Sequence, residues 1–245
     1  MHYYFITGTS SGIGKELALQ IVARPNTHVF GISRRCTVEH KQYQHVFADM
    51  TKVEDLQSIF DLFKTKFTLE DTVYLINNAG CVDPIRYAGS FSQVEIHYLM
   101  QVNLISTIQL INAFLVIPLE TIKNRVILTV SSGAASKVID GWSLYGAAKA
   151  GIDHFSLHVA HEIELRTDIK TRIFSIAPGV VDTPMQQKIR ETAESSFSTK
   201  QKFIELLQNK ALVSPQTAAL NYLKILDAPE LYVETVFSLR ELYSK

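Results

Sequence analysis

The stretch "WSLYGAAKAGIDHF", residues 142–155, places Tyr145 four positions before Lys149, with only Gly146, Ala147 and Ala148 between them. Positions i and i+4 of a helix are neighbours, so phenol and ammonium share a face. A free tyrosine titrates near pH ~10. A cation one turn away favours the phenolate and lowers that value. The pair therefore has the make-up of a tuned proton donor, suited to an oxygen on which negative charge is developing. Taken alone, it reads equally as a tyrosine packed on a lysine stem.

A second cluster lies at the start of the chain. "TGTSSGIG", Thr7 to Gly14, follows an apolar run and opens into a helical pattern. Gly8 permits a tight turn, Gly12 lets backbone approach a pyrophosphate, and Gly14 lets the helix pack closely on a sheet. The helix start offers amide donors and a favourable dipole to a phosphate. Ser10, Ser11 and Ile13 complete the loop as candidate cofactor contacts. About 20 residues further on, an acidic side chain would bond the 2′-hydroxyl of NAD. Here the chain reads "GISRRC", with Ser33, Arg34 and Arg35. Arginine binds a phosphate dianion by charge-assisted, often bidentate bonds, so NADP(H) is expected over NAD(H). The competing reading is two solvated surface arginines.

These clusters need a frame. Candidate strands run over 2–7, 27–32, 44–48, 72–76, 125–131, 171–177 and 231–237, and helical patterns over 12–24, 53–66, 91–117, 144–166, 184–208 and 215–227. Several strands are continuous apolar runs, as in a parallel sheet covered on both faces. The alternation predicts an α/β, Rossmann-type, doubly wound three-layer sandwich. No Pro-, Gly- or Ser-rich linker interrupts it, so one domain over 1–245 is expected. The 245 residues carry 24 basic and 24 acidic side chains, which gives no electrostatic case for nucleic acid or an anionic membrane. Two cysteines, Cys36 and Cys81, make no disulfide framework. With no basic and apolar leader at the start, this predicts a reducing, cytoplasmic setting. The apolar segment from Leu104 to Leu119 contains Ser106, Thr107, Gln109 and Asn112, so it reads as a buried helix and not a membrane span.

Four patterns now stand in order: "TGTSSGIG", "NNAG" at 77–80, a serine upstream of "YGAAK", and "PGVVDTPM" at 178–185. Together they resemble the short-chain dehydrogenase/reductase family over nearly the entire chain. The resemblance implies a seven-stranded parallel sheet, a nicotinamide cofactor, and redox chemistry on carbonyls or alcohols. Tyr145 and Lys149 match the family's Tyr-x-x-x-Lys pair. Ser132, thirteen positions before the tyrosine, matches its catalytic serine, and the adjacent Ser131 fits that spacing less well. Asn103 in "MQVNLIS" matches the asparagine that holds a relay water. Asp49 and Asn77, Asn78, Ala79 and Gly80 match positions bordering the adenine and its ribose. Thr183 matches the residue that bonds the nicotinamide carboxamide, and Pro178, Gly179 and Val181 belong to the same cofactor-contacting segment. Tyr145 and Lys149 are also expected beside the nicotinamide ribose, which Gly146, Ala147 and Ala148 leave room for. The resemblance further implies a homodimer through the helices 91–117 and 144–166. The chemistry fits independently: Ser132 can donate to a carbonyl oxygen and hold it near Tyr145.

Within the family, "DGWSLYGAAKAG" and "APGVVDTPMQQKIRETA" are most similar to two linked groups, the pterin (sepiapterin) reductases and the bacterial benzil reductases that form (S)-benzoin. Both reduce vicinal dicarbonyls, so reduction of one of two adjacent ketones is expected. The glycine-rich turn common at the family's end is absent here. Glu234 in "YVET" is the local counterpart of a pterin-anchoring aspartate, but reads more readily as a surface glutamate. That weighs toward an aromatic or aliphatic diketone. A 3-oxoacyl-thioester reductase shares the catalytic residues. A non-catalytic NADP(H)-sensing regulator typically loses the tyrosine or lysine, and this chain keeps both. Trp142, Phe197 and Phe203 line the substrate pocket or belong to the core, and the pocket wall is expected from 184–212. His154, His158 and His161 share one helix face, but "HVAHE" is not a His-Glu-x-x-His arrangement and the chemistry needs no metal. They are expected in polar packing or a subunit interface, and no metal site is expected. Cys81 reads as filler, with no base beside it.

Overall fold

The computed structural model describes residues 1–64 and 66–243. Seven parallel strands form one sheet in the order β3-β2-β1-β4-β5-β6-β7. They are β1 His2–Thr7, β2 Thr27–Ser33, β3 Tyr43–Phe47, β4 Thr72–Asn77, β5 Asn124–Val130, β6 Thr171–Ala177 and β7 Val236–Ser238. The main helices are α1 Gly12–Val22, α2 Val53–Leu62, α3 Gln93–Met100, α4 Ser106–Phe114, α5 Ser143–Leu165, α6 Pro184–Glu191, α7 Lys200–Gln208, α8 Pro215–Asp227 and α9 Leu239–Tyr243. Among the described residues, no helix is long and apolar enough to cross a membrane.

Successive strand residues point to opposite faces, so each continuous apolar strand feeds two cores. Tyr4, Ile6, Ile76, Leu128 and Ile176 pack under α1 and α8 on one face. Phe5, Leu75, Ile127 and Ile173 pack under α2, α4 and α5 on the other. The strand order reverses between β1 and β4, and ligands of open α/β sheets bind at such a switch point, outside the strands' carboxyl ends.

Three expectations are corrected. The pattern over 91–117 is interrupted by a π-helical turn, Gln101–Ile105, between α3 and α4. The pattern over 184–208 is two helices, because the chain turns extended at Thr192 and Ala193 and makes a short 3-10 turn, Glu194–Ser196, before α7. The run 231–237 supplies only a three-residue strand. Pro229–Leu231 form a 3-10 turn, and Leu231 and Val233 lie exposed before the chain reaches the edge of β6.

Candidate active site

The glycine loop bridges β1 and α1 at the switch point. Gly8 and Gly12 have φ of +75° and +58°, the left-handed region where a side chain is strained. Gly14 is fixed by space: a Cβ there would lie 2.3 Å from Asn78 Nδ2 and 2.5 Å from the Gly8 carbonyl oxygen. Asn78 Nδ2 donates to the carbonyls of Thr7 and Gly8 at 3.0 and 3.2 Å, and the Asn78 and Ala79 amides both donate to Thr7 Oγ1 at 3.0 Å. The "NNAG" segment therefore buttresses the glycine loop from behind. Ser11 caps α1 without a side-chain hydrogen bond, and the first turn holds no acidic residue. Its amides remain available to an anion. Ser10 is half-buried, Ser11 exposed, and Ile13 buried in the core beneath. A cradle shaped by absent side chains, with uncapped amides at its end, fits the pyrophosphate of a dinucleotide.

At the end of β2, Ser33 is buried. Its hydroxyl donates to the Arg35 carbonyl at 2.9 Å and sits 3.3 Å from Thr9 Oγ1. Arg34 and Arg35 are exposed, and Arg34 Nη1 reaches Asp49 Oδ2 at 3.9 Å. Burial raises the Asp49 carboxyl, but bonds from the Thr51 amide and hydroxyl, with Arg34 nearby, outweigh it and hold Asp49 below its ordinary value. Asp49 is thus an anion beside the candidate ribose reader. Sequence reasoning missed Tyr43, whose hydroxyl lies 3.0 Å from Thr9 Oγ1 and 3.1 Å from His45 Nδ1, closing this corner.

The candidate tetrad comes together at the ends of β5, α5 and the π-helical turn. Ser132 follows β5 and accepts from the Ala134 amide at 3.2 Å. Its hydroxyl lies close enough to the Tyr145 phenol to draw that group's pKa down. Lys149 is buried and donates to the Val130 carbonyl at 2.8 Å, with its Nζ 5.9 Å from the Tyr145 ring centre. Asn103 is buried in the π turn. It donates to the Cys81 carbonyl at 2.7 Å and accepts from the Cys81 amide at 2.9 Å. Gly80 leaves the gap between them: a Cβ there would lie 3.0 Å from Asn103 Oδ1 and 3.8 Å from Lys149 Nζ. π turns recur at functional sites, and no periodicity in "MQVNLIS" signals one.

The electrostatics differ from the simple expectation. Burial pushes Tyr145 up to about 12, only partly offset by the Ser132 bond. Burial also brings Lys149 down to about 8, with Asp153 pulling the other way. In the chain by itself the lysine does not bring the phenol toward neutrality, because both groups are desolvated together. Asp153 was not foreseen. It continues the Tyr145–Lys149 face by one more turn, and its Oδ1 accepts from Ser175 Oγ on β6 at 2.6 Å. Its signal was available as a further i+4 step on that face. Burial raises the Cys81 thiol to about 11, which agrees with a spectator role.

The rest of the nicotinamide side is formed by the β6–α6 segment. Thr183 caps α6, accepting from the Gln186 amide at 3.3 Å, and its methyl would lie 3.2 Å from a Cβ on Gly12. The two candidate cofactor segments therefore face each other. Pro178 and Gly179 lead into this segment, Gly179 with φ of +82°, and Val181 is held by a bridge to Val213. Trp142 stacks on Phe197 with ring centres 5.6 Å apart and meets Tyr145 edge-on at 5.5 Å; Phe203 lies 5.5 Å from Trp142. The alternative left open for these aromatics resolves into one apolar cluster that includes Tyr145, Val82, Ile85 and Ile189. Glu234 is exposed and outside this assembly.

The family model described as short chain dehydrogenase matches residues 3–194. The chain is 33% identical to the benzil reductase ((S)-benzoin forming) of Bacillus cereus over 94% of this chain and 96% of the relative. Its identity to the Bacillus subtilis protein of the same name is 32%, covering 93% and 94%. The crystal structure of the KRED1-Pglu enzyme superposes with a TM-score of 0.80 at 30% identity, over 92% of this chain and 94% of the other. With the glycine cradle, the Ser132–Tyr145–Lys149 cluster and these likenesses in agreement, the chain belongs to the short-chain dehydrogenase family and is an oxidoreductase of the carbonyl reductase kind.

Proposed function

We propose that the protein is an NADPH-dependent reductase of vicinal dicarbonyls, converting one ketone to an alcohol as in benzil to (S)-benzoin. The observation that carries this reading is Tyr145, with Ser132 near its phenol, set edge-on against Trp142 of the Trp142–Phe197–Phe203 cluster. The pair suits one carbonyl oxygen, and Trp142, which lines the neighbouring cavity and is backed by the buried Phe197 and Phe203, suits a flat aryl group beyond the second. The bound cofactor supplies the hydride. Ser132 donates a hydrogen bond to the reacting oxygen and holds it against Tyr145. Tyr145 delivers the proton as alkoxide character develops. A phenol held near 12 stays protonated until that moment, and the buried Lys149 then stabilises the phenolate it becomes. Asn103 locks the Cys81 backbone beneath this corner and keeps the floor of the site in register. Arg34 and Arg35 supply charge for the 2′-phosphate. An adjacent carbonyl makes the reacting carbon more electrophilic, which lowers what the residues must contribute. Names of the relatives at 32–33% identity point to the same substrate.

The test is chiral chromatography of the product from benzil with NADPH. The expected product is (S)-benzoin. No turnover of benzil or other vicinal diketones, alongside good activity on 3-oxoacyl thioesters, overturns the substrate and leaves the carbonyl reductase.

A further inference from the structure

We propose that His154 and His158 form a bidentate imidazole site for a borderline divalent transition-metal ion such as Zn²⁺ or Ni²⁺. Their Nε2 atoms face each other 3.2 Å apart on the exposed side of α5. Two ligands about 2.0–2.1 Å from an ion stand about 2.9 Å apart at a right angle and about 3.4 Å apart at the tetrahedral angle. The observed spacing falls between these limits, so the distance between the two nitrogens suits one shared ion. Two imidazole nitrogens so placed hold either a shared proton or a metal ion. In the protonated arrangement one ring donates Nε2–H and the other accepts. Metal binding needs both rings to carry their proton on Nδ1, so that each Nε2 offers a lone pair; the ring planes stand 88° apart.

These histidines lack a zinc-protease motif. The i, i+4 spacing alone already puts two imidazoles on one helix face, and the side-chain placement adds the 3.2 Å approach of their Nε2 atoms. His161 is one turn further and turned away: its Nδ1 lies 3.9 Å from Glu164 Oε2. Glu162, also on this side, reaches Arg166 at 3.9 Å. Among the described residues no third metal ligand completes the set, so on one chain water fills the remaining positions. A second copy packed along α5 would bring another pair and complete four nitrogens.

The site is separate from the reduction. His154 follows Tyr145, and His158 follows Lys149, by nine residues. Nine residues at about 3.6 per turn are two and a half turns, which places the histidines on the face of α5 opposite the phenol and ammonium. Turnover should not depend on the ion.

The experiment is a calorimetric titration of tag-free, full-length protein with NiCl₂, repeated on His154→Gln, His158→Gln and His161→Gln. The expected result is saturable binding in the unaltered protein and in His161→Gln, weakened at least tenfold in each of the other two. A stoichiometry of one ion per chain or one per two chains fits, provided both residues are required. Carbonyl turnover, equal in all four proteins, reports that each is folded. No saturable binding, binding unchanged in His154→Gln and His158→Gln, or binding lost only in His161→Gln overturns the site.

Discussion

The two sides of the candidate cleft are built on different principles. The side formed by the glycine loop, "NNAG" and the end of β2 is a backbone structure. Its shape comes from positive φ angles at Gly8 and Gly12, a Gly14 with no room for a Cβ, a bond that Asn78 Nδ2 donates to the Thr7 carbonyl, and bonds that Thr7 Oγ1 accepts from the Asn78 and Ala79 amides. The side formed by residues 133–142 and 184–208 is a side-chain structure. Trp142, Phe197 and Phe203 pack on one another, and Asp140 ties three segments by accepting from Tyr87 Oη at 3.1 Å, the Ser198 amide at 2.7 Å and Thr199 Oγ1 at 3.4 Å. A backbone cradle suits a ligand that does not vary. A side-chain wall allows the other ligand to change without altering the frame.

Tyr145 stands on the seam, so its removal separates chemistry from both sides. Tyr145→Phe keeps the ring that meets Trp142 and deletes the proton. Turnover should fall at least about a hundredfold, within the range general acids supply, while NADPH affinity by fluorescence titration stays unchanged. Near-normal turnover breaks the assignment of Tyr145.

The same contrast explains what could be read from the sequence. The glycine loop was legible because only glycine satisfies its turn and its close approach, so residue type and spacing state the geometry directly. Strands β1 and β6 were legible to the residue because continuous β-branched and aromatic runs ended at turn residues. The substrate side was not. "PMQQKIRETAESSFSTKQKF" has helix formers at both ends, and the break appears only in its centre, where Thr192, Ser195, Ser196, Ser198 and Thr199 compete for backbone bonds. The π turn holds Asn103 against the Cys81 backbone, and residue types do not announce it. The direction of the Tyr145 shift was misjudged because spacing shows the cation but not the shared burial.

The next test addresses cofactor choice on the backbone side. Arg34→Ala should weaken NADPH by about tenfold or more and leave NADH nearly unchanged, since a lost charge-assisted bond costs about 1.5–3 kcal/mol. Equal weakening of both cofactors, measured by direct binding, shows that the arginine does not meet the 2′-phosphate.

A paired glycine substitution tests whether backbone shape is the determinant. Gly14→Ala would place a methyl against Asn78 and the Gly8 carbonyl, whereas Gly133→Ala meets nothing within 4 Å. Overpacking costs about 1–3 kcal/mol, which for a chain of this size lowers Tm by several degrees, at about 2–4 °C per kcal/mol. Gly133→Ala should leave Tm within about 1 °C, consistent with the small effects of open surface positions. Equal melting curves for the two variants would show that Asn78 yields easily and that the loop is not sterically fixed.

The smallest effect should come from the side-chain half. Lys188 on α6 reaches Asp83, in the segment after β4, at 2.7 Å, and this contact ties α6 to that segment. Their side chains are 62% and 49% exposed, so water and salt screen the pair. Exposed pairs contribute about 0.2–1 kcal/mol. Lys188→Met keeps the length of the stem and removes the charge. If the contact helps hold α6 over the substrate, KM for the dicarbonyl should rise by no more than about fivefold, with kcat and NADPH affinity unchanged. The unaltered protein should approach the variant's KM as salt is raised, because screening removes the same interaction. A KM that is unchanged at low salt would assign the closure of this side to the Trp142–Phe197–Phe203 packing and the Asp140 bonds alone. A large fall in kcat would instead place Lys188 near the reacting atoms, and the division between a fixed cradle and an adaptable wall would have to be redrawn at α6.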